Sequence, residues 1–174
     1  MGRLHQATGD PRNPDLGPQG QRKMCTYNAY FRQEGKGDWW SLPRHLNAGT
    51  KLGPQVVRSV SRFRLSSHGL GVEWGRHNHK PWAERVCTRC AAHGVEQPQV
   101  DDERHMVFEC SSFEGMRLNM NFSALFEGVA QGDLKQFMQN GDGIKVSEFI
   151  HQCMEQVDVW NNGGRVETGN GGVS

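Results

Sequence analysis

The sequence predicts a small, mainly α domain of short helices, with little regular β and disordered tails at both ends. Three observations carry this. First, apolar residues recur three and four apart: Val56, Val57, Val60 and Phe63, then Val146, Phe149, Ile150, Cys153, Val157 and Trp160, the period of a helix with one buried face. Second, mean hydropathy is −0.72, only 35% of residues are hydrophobic, and 22 of the 174 are glycine. Such a chain builds a core locally and leaves other stretches unfolded. Third, cysteines and a histidine fall in the pattern Cys87-x2-Cys90-x14-His105-x4-Cys110. A small core is often stapled by a metal, and these are the residue types that do it.

The elements follow in order. Residues 1–24 are rich in Gly, Pro, Asn, Asp and Gln, with Pro11, Pro14 and Pro18 interrupting any period. They are expected to be a disordered lead-in. Residues 25–53 form an aromatic-rich flanking segment with Tyr27, Tyr30, Phe31, Trp39 and Trp40, expected to be a satellite core. Residues 54–126 form the central module. Its first helix is expected over Pro54–Leu65, with Pro54 in the first turn and Gly69 as a left-handed cap after it. Leu70–Trp74 is expected to be a short strand, and Arg76–Pro81 a polar turn. Phe113–Phe126 reads as one or two short helices. Residues 127–160 form a C-terminal helical segment, with a short helix at Asp133–Met138 and the clearest helix of the chain at Ile144–Trp160. The pair Asn161-Asn162 and the glycines after it should stop that helix, leaving 161–174 as a disordered tail.

The Cys/His pattern predicts one structural zinc. Two cysteines two residues apart point their sulfurs the same way from a tight turn, and Zn²⁺ takes four such donors in a tetrahedron. The metal residues are Cys87, Cys90, His105 and Cys110. Asp101, Asp102 and Glu103 suit the first turn of a helix. On that helix His105 and Cys110, five apart, would stand about 140° from each other. The helix must therefore end or unwind at Cys110, and Ser111-Ser112-Phe113-Glu114 reads as a capping box that starts the next one. His93 is an alternative fourth donor. The competing reading is three buried cysteines and a surface histidine in a reducing compartment. A Cys87–Cys90 disulfide is disfavoured because nothing signals secretion. Cys25 and Cys153 are left as plain thiols.

Charge is divided along the chain. Gln55–Cys90 carries seven basic and two acidic side chains, a net of +5, and Ala91–Trp160 carries four basic and twelve acidic ones, a net of −8. A basic block beside a zinc knot is the electrostatic footprint of a nucleic-acid surface. Arg58, Arg62, Arg64, Arg76, Lys80, Arg85 and Arg89 are the candidate phosphate contacts, and Trp74, Trp82 or His77 could stack on bases. A solvated face balanced by the acidic half is the other reading. No apolar run reaches the length of a membrane span, and no secretory leader opens the chain. The expectation is an intracellular protein of nucleus or cytoplasm without a membrane partner. Val100-Asp101-Asp102 superficially matches a polymerase carboxylate pair. It lacks a flanking apolar hairpin and a third carboxylate for a two-metal site, and reads as a helix start.

Three stretches carry a family resemblance: Ser61–Arg76, Glu84–Cys90 and Val100–Cys110. Together they resemble the C-terminal region of non-LTR (LINE-like) retrotransposon reverse transcriptase polyproteins. Leu134–Gln139 followed by Val146–Cys153 resembles the segment that follows in algal members. The resemblance spans Tyr27 to Trp160. It implies a module downstream of the polymerase that helps hold RNA or DNA, with Cys87, Cys90, His105 and Cys110 as zinc ligands. The polymerase and endonuclease of that family have no counterpart in this sequence. The expectation is thus a non-catalytic, zinc-binding, nucleic-acid-binding fragment whose contacts are mainly non-specific. The alternative is a structural module that packs on a separate reverse transcriptase.

Overall fold

The computed structural model describes residues 51–139 and 142–163. The readings placed on 1–50, including the aromatic segment and Cys25, and on the tail beyond 163 lie outside them. Within the described residues the protein is a small helical domain. Its α-helices are α1 (Pro54–Arg64), α2 (Gly71–His77), α3 (Thr88–Ala92), α4 (Glu103–Phe108), α5 (Glu114–Arg117), α6 (Leu134–Gln139) and α7 (Gly143–Gly163). Short 3-10 turns at Trp82–Glu84, Ser111–Phe113 and Ser123–Phe126 connect them. The β content among these residues is one isolated antiparallel bridge, Val86 to Val100.

α7 is the spine. Its stripe of Val146, Phe149, Ile150, Cys153, Met154 and Val157 is buried, as the apolar period predicts. α1 lies against it, burying Val60 and Phe63 completely, each such burial being worth about 1.5–3 kcal/mol. Polar contacts along the same seam fix the register. Ser59 Oγ lies 2.9 Å from His151 Nδ1, and Arg62 donates to Asp158 at 2.9 Å. Around Phe149 of α7 the rings of Phe108, Phe122, Phe126 and Phe137 gather at centroid separations of 5.1–6.1 Å, edge-on except for the stacked pair Phe126–Phe137. That is the geometry aromatic quadrupoles favour, and it ties α4, the Ser123–Phe126 turn, α6 and α7 into one core.

Four expectations are corrected. Leu70–Trp74 is not a strand: Gly71–His77 is helical, with Leu70 as its N-cap and Glu73 paired to Arg76 one turn on at 2.9 Å. The left-handed residue after α1 is Ser66, at φ 47°. Its hydroxyl donates to the buried Glu103 carboxylate at 2.9 Å, which holds a conformation glycine would otherwise be asked to supply. Gly69 serves close approach instead. A Cβ there would stand 2.2 Å from Asn161 Nδ2, the group that donates to Gly69 O at 2.9 Å. That same bond explains the third difference: α7 runs through Asn161 and Asn162 to Gly163 because Asn161 has work to do inside it. Finally, Ser111-Ser112 makes no capping box. A 3-10 turn and α5 do start there, but neither start carries a side-chain cap bond.

Candidate metal centre

The bridge between Val86 and Val100 builds the site. Cys87 N donates to Gln99 O at 2.8 Å and Asp101 N to Arg85 O at 2.8 Å, so the strand-like arms entering α3 and α4 lie side by side. Cys87 is the N-cap of α3 and Cys90 sits inside it, which turns both sulfurs to one side. Asp102 caps α4, its carboxylate accepting from His105 N at 2.7 Å. His105 therefore stands in the first turn, facing α3. α4 ends at Phe108, and Cys110 N folds back to His105 O at 2.8 Å. The helix break required by the ligand spacing is present, and it brings Cys110 under the other three donors.

The four donor atoms lie within 4.8 Å of one another, and all four residues are buried. Cys110 Sγ is 3.8 Å from Cys87 Sγ and 3.7 Å from Cys90 Sγ, and Cys90 Sγ is 3.3 Å from His105 Nε2. A tetrahedral zinc with Zn–S of about 2.3 Å and Zn–N of about 2.0–2.1 Å sets sulfurs roughly 3.8 Å apart and S to N roughly 3.5 Å apart. The residues therefore fit a four-donor metal centre. No disulfide joins them: all three cysteines, and Cys153, are free thiols. His93, the alternative donor, is exposed at the C-cap of α3 and lies outside the cluster.

Proximity of the donors decides their protonation. A hydrogen bond from Cys87 pulls the Cys110 thiol down to about 3, and the same bond, with burial, pushes Cys87 up. Burial would lower His105, but its hydrogen bond to Cys110 and the thiolate charge prevail and raise it to about 9.

The surroundings correct the reading of the basic block. Arg89, 3% exposed, pairs with the buried Asp101 and lies over the Phe113 ring at 5.6 Å. Arg85, 5% exposed, donates to Lys80 O at 3.0 and 2.8 Å and to Val72 O at 3.2 Å. Both are interior brackets and cannot meet phosphates in this fold. Arg62 is ion-paired near the surface with Asp158, and the half-buried Arg76 with the buried Glu73. Arg58 and Lys80 are exposed and Arg64 is half-buried. Trp74 is exposed with Lys80 over its ring at 4.8 Å, Trp82 is half-buried, and His77 is exposed. The carboxylates of the polymerase-like pair are both occupied. Asp102 caps α4, and Asp101 takes the Gly71 N–H at 2.8 Å as well as Arg89.

Sequence reasoning missed two neighbours of the centre, Glu109 and Arg117, and the buried pairing of His68 with the helix-start residue Glu103. Glu103, 1% exposed, accepts from Ser66 and lies 2.8 Å from His68 Nε2. Arg117 donates to Cys110 O at 2.8 Å while its Nη1 is buried without a partner, and burial lowers its pKa. Only Glu109 left a trace in the sequence, being four residues after a ligand histidine and so on its side of the helix.

Comparison of the chain with protein-family models, with curated proteins and with solved structures gives no match.

Proposed function

We propose that Cys87, Cys90, His105 and Cys110 hold one structural Zn²⁺, and that the domain is a non-catalytic module that binds nucleic acid, of the kind found downstream of retrotransposon reverse transcriptases. The observation that carries the zinc reading is the set of four buried donors within 4.8 Å of one another. Catalytic zinc keeps a coordination position for water or substrate, whereas four protein ligands fill the sphere. Bound there, zinc would supply cross-linking of α3 to α4 rather than chemistry. The thiolates and the imidazole would be its ligands, and Asp102, through the His105 backbone, would set the depth of the histidine.

Phosphate contact in this reading falls to the exposed Arg58 and Lys80, with Arg62, Arg64 and Arg76 contributing by exchanging their present contacts for phosphates. Such contacts position without reading sequence, and their affinity falls with salt. Lys80 and Trp74 together offer a cation beside an indole, which suits a single strand. The burial of Arg85 and Arg89 favours the second reading, a module that docks on a reverse transcriptase and has no nucleic-acid affinity of its own.

The experiment is elemental analysis of the purified protein followed by binding of fluorescent single-stranded and double-stranded oligonucleotides at increasing salt. One zinc per chain and a binding constant that falls steeply with salt support the first reading. Zinc without oligonucleotide binding, together with capture of a separately supplied polymerase, supports the second. No zinc overturns both.

A further inference from the structure

His105 turns only one ring nitrogen to the thiols. Its Nε2 is 3.3 Å from Cys90 Sγ, while its Nδ1 is buried with no hydrogen-bond partner. Glu109 Oε2 lies 3.6 Å from that Nδ1 and is itself buried and unpartnered. The two orphans are complementary, and they stand a few tenths of an ångström beyond ordinary hydrogen-bond length. The other carboxylate oxygen of Glu109 is already fixed, 2.8 Å from Arg104 Nη2. Arg104 in turn lies across Gly132, at φ +82°, where a Cβ would stand 2.2 Å from Arg104 Nε. A line of contacts thus runs from the loop before α6 to the imidazole.

We propose that Glu109 is the positioning residue of the metal centre: it accepts the Nδ1–H of His105 and so fixes the tautomer that presents the Nε2 lone pair to the ion. The inference rests on the zinc reading above. A neutral imidazole carries one N–H, and only the Nδ1–H form leaves Nε2 able to ligate. A carboxylate at that N–H both selects the tautomer and raises the basicity of the ligand nitrogen. Its charge would be unwelcome beside three thiolates, and Arg104 offsets it. Gly132 leaves Arg104 the space to do so.

The test uses the full chain, with zinc affinity measured by competition against a chromophoric chelator. Glu109→Ala should weaken zinc about 10–100-fold, and Glu109→Gln less, since the amide oxygen still accepts. The circular dichroism of both variants at saturating zinc should match the parent. In a His105→Cys background, where the fourth ligand has no second N–H, Glu109→Ala should produce no such loss. Equal losses in both backgrounds, or no loss with His105 in place, overturn the proposal and leave the zinc reading intact. Failure of the parent chain to bind zinc overturns the zinc reading and this inference with it. If Glu109→Ala does not fold, nitrogen NMR of the zinc-loaded parent decides. A slowly exchanging proton on Nδ1 of His105 supports the proposal, and a proton on Nε2 overturns it.

Discussion

Three thiolates and a neutral imidazole around a divalent ion carry net negative charge, and the residues nearby answer it. Arg89 pairs with Asp101 and also acts on the Cys87 and Cys110 sulfurs, and Arg117 is a second cation facing them. It is held by one backbone carbonyl, with Nη1 unpartnered. Burial is unfavourable to the guanidinium and lowers the Arg117 pKa, with nearby Cys110 and Glu114 opposing it only in part; a negative metal centre would compensate it further. Arg117→Met should therefore destabilise the zinc-loaded protein by about 1–3 kcal/mol, measurable by urea titration at saturating zinc. The protonation pattern gives a second prediction. Ligation needs thiolates and a neutral imidazole. His105 is raised to about 9 and Cys87 is pushed up, while Cys110, lowered to about 3, is already a thiolate at neutral pH. Zinc must then expel protons from His105 and Cys87, so affinity rises with pH through neutrality and falls as pH drops. Calorimetry in two buffers of different ionisation enthalpy should report more than one proton released per zinc at pH 7. Independence of pH between 6 and 8 would contradict it.

Helices are where the sequence was most and least informative. α1, α4 and α7 could be read because each carries an apolar stripe or a cap at its own period. α4 was legible to its last turn, since two ligands five apart cannot share a helical face. α2 was misread because Leu70 and Val72 alternate like strand residues, while its helical contacts, the Glu73–Arg76 pair and the Arg85 bond to the Val72 carbonyl, come partly from a distant segment. Arg85 and Arg89 read as a basic surface for the same reason: a charge count along the chain cannot see that Asp101 waits inside for Arg89. Gly69 is the instructive case. Its role depends on Asn161, 92 residues away, and no local rule exposes it. Gly69→Ala should drive the new methyl into Asn161, part α1 from the end of α7, and cost about 1–3 kcal/mol. A Gly69→Ala, Asn161→Ala double variant should recover part of that loss. A single variant as stable as the parent in urea would refute the close-approach role.

At the scale of the whole molecule, the metal centre and the core are one body. Cys87, Cys90 and Cys110 belong to the same buried cluster as Phe149, Ile150 and Val157 of α7, and Phe113, next to the thiols, is fully buried. The short helices α3 to α6 have four to six residues each, too few to persist alone in water. They depend on packing and, in this reading, on the ion that cross-links the two arms entering α3 and α4. Among the described residues α7, at 21 residues, is the element long enough to retain helix by itself. Removing zinc should therefore not loosen a corner of the domain but dissolve most of it, because binding energy and folding energy are the same quantity in small metal sites. Chelation should remove most of the far-ultraviolet helical signal in a single transition, leaving a residue attributable to α7, and added zinc should restore it. Cys87→Ser and His105→Ala should show the collapsed spectrum even with zinc present at concentrations that saturate the parent. A melting curve indifferent to both chelator and substitution would mean that the aromatic cluster alone holds the fold, and that the four donors are neighbours without an ion to share.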